Sequence, residues 1–353
     1  MTIPEYIYPG VYVEEVPSGA TTIAGVGTST AGFVGTAALG PTESPVLVTG
    51  LTEFERSFGD VGDLWHAARA FFQNGGRRLF VERVLDSDYD AALRLLEQID
   101  DIAVVAAPGA SVAAALVEHA ERMRYRFAVL DPPRGESIDA VAALRDSIDS
   151  SYAALYYPWL RADDDVVPPS GYVAGIYARN DASRGVFRAP ANEVLAGAAG
   201  LETPLGEREI GRVSLRDINP FRLTETGDVL VWGARTLASD REWKYVNLRR
   251  YFIYLERSID LGTRWTVFEP NGEPLWATLR DAIADFLMAE FRRGALAGET
   301  PDTAFFVRCD RSTMTQEDLD AGRLVCVVGV APRRPAEFVE IRIGRWTAEH
   351  RCA

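Results

Sequence analysis

DIAVVAAPGASVAAALVEHAERMRYRFAVLDPP, residues 101–133, alternates an apolar run, a helical period and a second apolar run. The alternation continues with the helical SIDAVAALRDSI (137–148) and the apolar YAALYYPWL (152–160). Strands that are apolar throughout and are separated by helices of about 10 to 15 residues are typical of a parallel sheet covered on both faces. The sequence therefore predicts an α/β unit with a largely parallel sheet.

Shorter elements precede this unit and a loop follows it. VLVTGLTEFERSFG (46–59) predicts a strand and then a helix that opens at Thr52. LWHAARAFFQNGG (64–76) predicts a helix that ends at an Asn-Gly-Gly stop, and RRLFVERVL (77–85) predicts a strand. Residues 161–171 predict a loop. Residues 180–216 have weak periodicity, and we expect a boundary between two units there.

A second unit begins near INPF (218–221). DREWKYVNLRRYFIYLERSIDLG (240–262) and PLWATLRDAIADFLMAEFRRG (274–294) predict two long helices. AFFVRCD (304–310) and LVCVVGVAP (324–332) predict strands, so this unit is α+β. One apolar stripe at helical spacing follows the second helix: Leu275, Leu279, Ile283, Phe286, Leu287 and Phe291.

Both chain ends carry strand-like segments bounded by prolines. YPGVYVEEVP (8–17) and EFVEIRIGRW (337–346) alternate side chains as strands do. Apolar strands with open edges invite pairing with other chains. We therefore predict an N-terminal arm at 1–20, an outer α/β domain at 21–210, an inner α+β domain at 211–332 and a C-terminal arm at 333–353.

Composition excludes several classes of protein. The 353 residues have a net charge of −14, and residues 1–150 hold 22 acids against 11 bases, which repels phosphate backbones and predicts no nucleic-acid partner. Three cysteines without close spacing predict free thiols in a chain made in a reducing cytosol. The start lacks a secretory signal, and the longest apolar stretch (102–117) is too short to span a bilayer, so we expect no membrane insertion.

No motif in the chain demands catalysis. GVGTSTAG (25–32) has no P-loop lysine and its glycines do not fit a dinucleotide fingerprint. Asp163, Asp164 and Asp165 lack the alternate spacing of a calcium loop, and the three histidines are scattered. We predict no catalytic residue, no metal site and no cofactor. An α/β enzyme such as a hydrolase stays open as an alternative, since distant residues can converge in space.

A set of short motifs runs almost end to end through the chain. They are PGVYVEE (9–15), GVGTSTAGFVG (25–35), GPTESPVLVTGLTEFERSFG (40–59), FFQNGG (71–76), RFAVLDPP (126–133), YYPW (156–159), VPPSGYVAGIYARND (167–181), RGVFRAPAN (184–192), INPFR (218–222), VWGARTL (231–237), WKYVNLRR (243–250), VFEPN (267–271) and PAEFVEIRIG (335–344). In these motifs the chain resembles the tail sheath proteins of contractile bacteriophages and of related injection particles. A tube or terminator subunit is a rival, but tube proteins are usually shorter and lack the α/β layer.

The resemblance implies a structural subunit that forms stacked six-membered rings around an inner tube. The metastable sheath contracts and drives the tube through a target envelope. Implied partners are the inner tube protein and the baseplate and terminator or cap proteins, in a particle assembled in the bacterial cytoplasm. The implied inter-subunit strands comprise Val11, Tyr12, Val13, Glu14, Glu15, Phe338, Val339, Glu340, Ile341, Arg342 and Ile343. We expect hinges among Gly10, Pro17, Gly19, Pro332 and Pro335, and tube contacts among Arg280, Arg292 and Arg293.

Overall fold

A computed structural model describes residues 22–337 of the chain. The predicted arm strands at 11–15 and 338–343 lie outside the described residues, as do the hinge candidates Gly10, Pro17 and Gly19.

The described strands form three sheets. In chain order they are β1 (Ala31–Gly35), β2 (Val46–Val48), β3 (Leu79–Arg83), β4 (Val104–Ala106), β5 (Phe127–Leu130), β6 (Ala153–Tyr157), β7 (Leu160–Ala162), β8 (Asp165–Val167), β9 (Glu193–Val194), β10 (Gly200–Leu201), β11 (Asn219–Leu223), β12 (Val229–Val231), β13 (Phe305–Arg308) and β14 (Val327–Val330).

The described helices cover the large sheet and build the second unit. They are α1 (Leu51–Phe58), α2 (Asp63–Gln73), α3 (Tyr89–Leu96), α4 (Ala113–Met123), α5 (Ile138–Asp146), α6 (Ser170–Arg184), α7 (Glu207–Leu215), α8 (Val246–Thr263), α9 (Glu273–Arg292), α10 (Pro301–Ala304) and α11 (Gln316–Asp320). Two 3-10 turns, Arg241–Trp243 and Arg264–Thr266, flank α8.

The main sheet has nine strands in the order β2-β3-β1-β4-β5-β6-β11-β12-β9. The six strands from β3 to β11 run parallel. At one edge β2 pairs antiparallel with β3, and at the other β12 pairs antiparallel with β11 and β9 antiparallel with β12. Every residue of β1, β4, β5 and β6 is buried, because apolar clusters cover both faces of the sheet. The prediction of an α/β fold with a largely parallel sheet is confirmed.

The main sheet extends beyond residue 210, where the sequence analysis divided the chain. β11 pairs in parallel with β6, and Ser150 forms a bridge with Leu237. Residues 219–231 were assigned to the second unit, yet they complete the sheet of the first. A parallel pairing between strands more than sixty residues apart leaves no local pattern, because the intervening chain returns by a long crossover.

The second unit packs α8 and α9 against each other around Tyr251, Tyr254, Trp276, Leu279 and Leu287. Most of the predicted stripe on α9 is buried, while Leu275 and Phe291 are only half-buried and Trp276 takes a central place. α8 begins at Val246 rather than near 240, since a 3-10 turn precedes it. The predicted loop at 161–171 includes a hairpin of β7 and β8, with Asp163 at its turn.

Candidate assembly interface

The second unit contains a two-stranded sheet that stands apart from the main one. β13 and β14 pair antiparallel, from Phe305 opposite Val330 to Arg308 opposite Val327. Within residues 22–337 neither strand pairs with a third. Isolated two-stranded ribbons are marginal in water, and their free edges are templates for further strands. This sheet is therefore a candidate acceptor for strands from other chains.

One face of this small sheet is exposed and carries Phe306 and Val327 together with Arg308, whose guanidinium stands 5.0 Å from the centre of the Phe306 ring. Side chains alternate between half-buried and exposed along β13, and Phe306 and Val327 are 46% and 42% exposed. The Phe306 ring lies so close to Gly329 on the facing strand that no Cβ would fit there. The ring covers part of the ribbon, and the rest of this face remains open to a partner.

The chain that leaves β14 is held at several points before residue 337. Ala331 accepts a backbone hydrogen bond from Ala297 (2.7 Å) and donates one to Ala304 (2.8 Å). Pro332 forms a bridge with Leu296, and the Arg333 side chain donates to the Leu296 carbonyl (3.1 Å). The hinge candidate Pro332 thus lies in a segment bound to the body of the subunit.

The carboxylate of Glu337 forms the last described anchor, which we call the Glu337 clamp. Arg235 donates to both of its oxygens, from Nε at 2.6 Å and from Nη2 at 2.9 Å. Lys244 Nζ and Tyr245 Oη also donate to Oε2, at 3.2 and 3.1 Å. Burial acts to raise the pKa of Glu337, but Arg235 and Lys244 outweigh it and hold the pKa below its ordinary value.

Because the Glu337 clamp follows Pro335, that hinge candidate is fixed on both sides. Arg235 is itself held in place, since its Nη1 donates to the Ser214 carbonyl and lies 3.4 Å from Asp217 Oδ1. Its guanidinium therefore ties the C-terminal segment to the region between α7 and β11.

A buried ion pair joins the two units. Arg250 on α8 donates to both carboxylate oxygens of Asp181 on α6, at 3.0 and 2.7 Å, and both side chains are 4% exposed. Thr28 completes the group, because its hydroxyl donates to Asp181 (2.6 Å) and its carbonyl accepts from Arg250 (2.9 Å). The two-point pairing of a guanidinium with a carboxylate fixes orientation as well as distance. We call this group the Arg250–Asp181 lock. It holds α8 of the second unit against α6 of the first.

The three predicted tube-contact arginines do not share one face of α9. At 100° per residue, Arg292 points about 120° away from Arg280, and Arg293 about 100° further round. Arg280 pairs with Asp281 (3.1 Å), and Arg293 pairs with the buried Glu290 (3.0 Å), which also accepts from Tyr251 and Tyr254. Arg292 is exposed and forms no ion pair within residues 22–337.

The other polar residues that could bind a ligand do not come together as a binding site within the described part of the chain. Within residues 22–337 no group of three or more His, Cys, Asp or Glu side chains could hold a metal ion, and no helix is long and apolar enough to cross a membrane. His119 on α4 is 1% exposed, and Arg126 Nη1 lies 2.8 Å from its Nε2. Burial, together with Arg126 and Arg122, lowers the pKa of His119 to about 3, so its ring stays neutral.

Sequence reasoning missed the lock and the Glu337 clamp, and it treated the cysteines as unrelated. The register of β13 and β14 pairs Arg308 with Val327 and so places the next residues, Cys309 and Cys326, opposite each other. Burial, with the neighbouring thiol, raises the pKa of Cys326 to about 12. The one available signal for the clamp was Lys244, the only lysine in the chain.

Comparison with known proteins agrees with this architecture over nearly the whole chain. The model of the phage tail sheath protein central domain matches residues 84–237, and that of the phage tail sheath C-terminal domain matches residues 238–344. The sheath of an extracellular contractile injection system, PVC, solved in its contracted state, is 31% identical with a TM-score of 0.86. The likeness covers 99% of this chain and 100% of that one.

The chain belongs to the phage tail sheath family. This sheath protein is also 24% identical to a prophage major tail sheath protein of Pseudomonas aeruginosa (strain UCBPP-PA14), over 97% of this chain and 98% of the other. Chains in the baseplate and in the contracted helical sheath of the anti-feeding prophage are 28% identical, each with a TM-score of 0.83 over 96% of this chain and 99% of that chain. The resemblance inferred from short motifs is confirmed. Because the family is structural, membership favours a sheath subunit over the hydrolase alternative.

Proposed function

We propose that this sheath protein polymerises as stacked six-membered rings around an inner tube, in a contractile tail or a contractile injection system. The observation that carries the proposal is the end-to-end likeness to the PVC sheath chain, at 31% identity and a TM-score of 0.86. A small open sheet in the second unit supports it, since such a sheet suits a subunit that is completed by its neighbours.

Each terminal arm adds a strand to the β-structure of a neighbouring copy in this proposal. The strands are those at 11–15 and 338–343, and the ribbon of β13 and β14 is the acceptor we assign to the C-terminal strand. Four or five backbone hydrogen bonds at about 0.5–1.5 kcal/mol each contribute a few kcal/mol per arm. This contribution is repeated on every subunit. Because each arm is covalently tethered to its own subunit, its pairing with a neighbour in the sheath is effectively intramolecular. Twenty extended residues reach about 60–70 Å, enough to cross to an adjacent subunit.

Contraction then proceeds by rigid reorientation of subunits joined by their arms. The Arg250–Asp181 lock supports this view, because it opposes motion between the two units of one subunit. The free energy is stored at assembly as the difference between two packings of the same surfaces, and no cofactor or nucleotide takes part. For the C-terminal arm we place the pivot beyond the Glu337 clamp rather than at Pro332 or Pro335. Gly10, Pro17 and Gly19 are hinge candidates for the N-terminal arm.

The second unit faces the inner tube in this arrangement. Arg280, Arg292 and Arg293 are candidate tube contacts, and Arg292 is the cleanest to test because the other two pair with Asp281 and Glu290. Baseplate and cap proteins are the further partners, in agreement with the related chain in the anti-feeding prophage baseplate. We place synthesis and assembly in the bacterial cytoplasm.

Electron microscopy of the purified, overexpressed chain tests the proposal. We expect helical tubes with a regular striation. Deleting residues 1–17 should leave a folded subunit that forms no tubes, as judged by circular dichroism and microscopy together. Tubes of normal appearance from the truncated chain would refute the arm proposal, and a globular monomer with enzymatic activity from the full chain would refute the sheath proposal itself.

A further inference from the structure

Two cysteines lie opposite each other at one end of the ribbon of β13 and β14. Cys309 follows the last residue of β13 and Cys326 precedes the first residue of β14, so the register of the two strands makes them neighbours. Just beyond them, the Thr313 hydroxyl donates to the Val325 carbonyl (2.8 Å). The chain is therefore held together on both sides of the cysteine pair.

Both cysteine side chains project from the same face of the ribbon. Successive side chains of a strand point to opposite faces, so Cys309 shares a face with Val307, and Cys326 shares one with Val328. All four of these side chains pack in the core of the second unit. The two sulfur atoms thus extend from neighbouring strands into one core.

The hydrogen-bond pattern of the ribbon indicates how far apart the two cysteines stand. In the same register Ala331 lies opposite Ala304 and donates a backbone hydrogen bond to it (2.8 Å). Hydrogen-bonded and non-hydrogen-bonded pairs alternate along an antiparallel ladder. Cys309 and Cys326 lie an odd number of positions further along, so they form a non-hydrogen-bonded pair, in which Cα atoms stand about 4.5 Å apart. A disulfide spans Cα separations of about 4.4–6.8 Å.

The two thiols differ in their access to solvent. Cys309 is 1% exposed, whereas Cys326 is half-buried. Burial raises the pKa of both thiols, to about 12 for Cys326, so at neutral pH they are protonated and react slowly. Within residues 22–337 they belong to no group of three or more side chains that could hold a metal ion. A small reagent must therefore reach Cys326 first, and Cys309 then lies beside the product.

We propose that Cys309 and Cys326 form a disulfide-forming site that takes a small-molecule disulfide as its oxidant. The thiolate of Cys326 attacks one sulfur of the small disulfide, which gives a mixed disulfide and displaces one small thiolate. The thiolate of Cys309 then attacks the Cys326 sulfur and displaces the second. Two protein thiols are oxidised to one disulfide, and the small disulfide is reduced to two thiols that take up the two protons.

The bond staples a part of the subunit that has little other support. A two-stranded ribbon is marginal in water, and within residues 22–337 no third strand pairs with β13 or β14. The disulfide closes residues 310–325 into a loop, which restricts the unfolded chain and stabilises the second unit. The staple forms after the protein leaves the reducing cytosol, since thiols stay reduced there. The site needs no second copy, so it goes beyond the proposed function.

Oxidation of the purified full chain with oxidised glutathione tests the site. The chain carries Cys352→Ser, which removes the third thiol of the sequence. We expect an intact mass lower by two hydrogen atoms, a digest peptide that joins Cys309 to Cys326, and a Tm that rises by about 5 °C. Dithiothreitol should reverse both changes. A chain that stays reduced, or that keeps glutathione on Cys326, would overturn the proposal.

Single variants in the same background are the matched controls. Cys309→Ser should stop at the mixed disulfide on Cys326, and Cys326→Ser should stay unmodified because Cys309 is buried. Each variant is compared with its own reduced form, so any change in stability from the substitution itself cancels. A rise in Tm on oxidation of either variant, or a disulfide that joins two chains through Cys326, would contradict the assignment.

Assembled tubes provide a separate readout. Tubes that are oxidised after assembly should dissolve at a higher urea concentration than reduced tubes, as light scattering can measure, and Cys309→Ser tubes should show no such difference. Equal urea resistance of oxidised and reduced tubes would refute the staple. If the chain formed the disulfide but no tubes, the proposed function would fail and the disulfide site would stand.

Discussion

The two β-regions of this subunit differ in how much of their faces and edges the rest of the chain covers. The nine-stranded sheet is buried on both faces, and its last strand, β9, is only two residues long. The side chain of Arg179 donates to the Val194 carbonyl at that edge (2.7 Å). The ribbon of β13 and β14 packs one face on the core of the second unit, but within residues 22–337 no third strand pairs with it, and its other face exposes Phe306 and Val327.

This difference indicates that the main sheet determines the stability of the subunit, whereas the ribbon determines how subunits associate. Short, capped edge strands prevent further pairing, whereas an uncovered ribbon with exposed apolar side chains favours it. Substitutions in the central unit should therefore change the free energy of unfolding of the subunit. Substitutions on the ribbon should change mainly the association of subunits.

The largest effect on folding is expected at the Arg250–Asp181 lock. Asp181→Ala leaves the Arg250 guanidinium buried without its partner, which should lower the free energy of unfolding by about 3–5 kcal/mol. Urea denaturation measures it. The matched control is Asp101→Ala, which removes an exposed pair with Arg78 (3.1 Å) and should cost about 1 kcal/mol or less. Equal costs for the two variants would contradict the assignment of the lock.

A second effect on folding depends on pH and arises inside the main sheet. Glu82 is fully buried on β3, neither of its carboxylate oxygens has a hydrogen-bond partner among residues 22–337, and burial raises its pKa to about 7. The folded state then binds the proton more tightly than the unfolded state, so stability is highest at low pH and falls as pH rises through about 7. Glu82→Gln should be about 2–3 kcal/mol more stable than wild type at pH 8 and equal to it near pH 4.

Unfolding midpoints across that pH range check this prediction. Glu53 is the control with the opposite sign, because hydrogen bonds from Thr49 lower its pKa and stabilise its charged form. Glu53→Gln should lose stability at neutral pH rather than gain it. A stability difference for Glu82→Gln that does not change with pH would rule out a buried, titrating carboxyl.

A substitution on the ribbon should have a smaller effect on folding but a large effect on assembly. Phe306→Lys should change subunit stability by about 1 kcal/mol or less, because the side chain is already 46% exposed. The same variant should form no striated tubes, since the exposed aromatic ring is lost and a second positive charge then lies beside Arg308 on the surface offered to the incoming strand. Leu39→Lys, a similarly exposed position at 56%, is the control and should still assemble. Assembly of both variants would mean that the ribbon is not an acceptor.

The smallest effect on folding is expected at Arg292. It is exposed and has no ion-pair partner within residues 22–337, so Arg292→Glu should change stability by no more than about 0.5 kcal/mol. If the second unit faces the tube through α9, sheath formed by this variant should no longer sediment with tube protein. Thr278→Glu, on the same exposed side of the helix, shows whether any added negative charge there has this result. Unchanged co-sedimentation of the Arg292→Glu sheath would remove Arg292 from the tube contact.

The sequence was informative wherever a local period determined the structure. The core strands β4, β5 and β6 and the helices α4 and α5 were predicted because apolar runs and helical spacing alternate there. α6 was missed, since all of its first nine residues are buried and this half of the helix therefore has no polar face to create a period. β11 was placed in the wrong unit because its partner, β6, is distant in the chain.

The candidate site was predicted less completely than the fold. The strands β13 and β14 were predicted from AFFVRCD (304–310) and LVCVVGVAP (324–332), but the sequence did not show that they form a sheet of their own. The lock and the Glu337 clamp depend on pairs such as Arg250 with Asp181 and Arg235 with Glu337, which lie 69 and 102 residues apart in the chain. A single sequence with many arginines and many acids does not show which of them meet.

The chemistry of Lys244 has a practical consequence for labelling. It provides the only side-chain amine in the protein, and that amine is bound to the Glu337 carboxylate at 3.2 Å. Reagents that acylate lysine should therefore modify this protein slowly at its side chains. A single lysine introduced at an exposed position would then be a nearly unique attachment point for a dye, an affinity tag or a cargo.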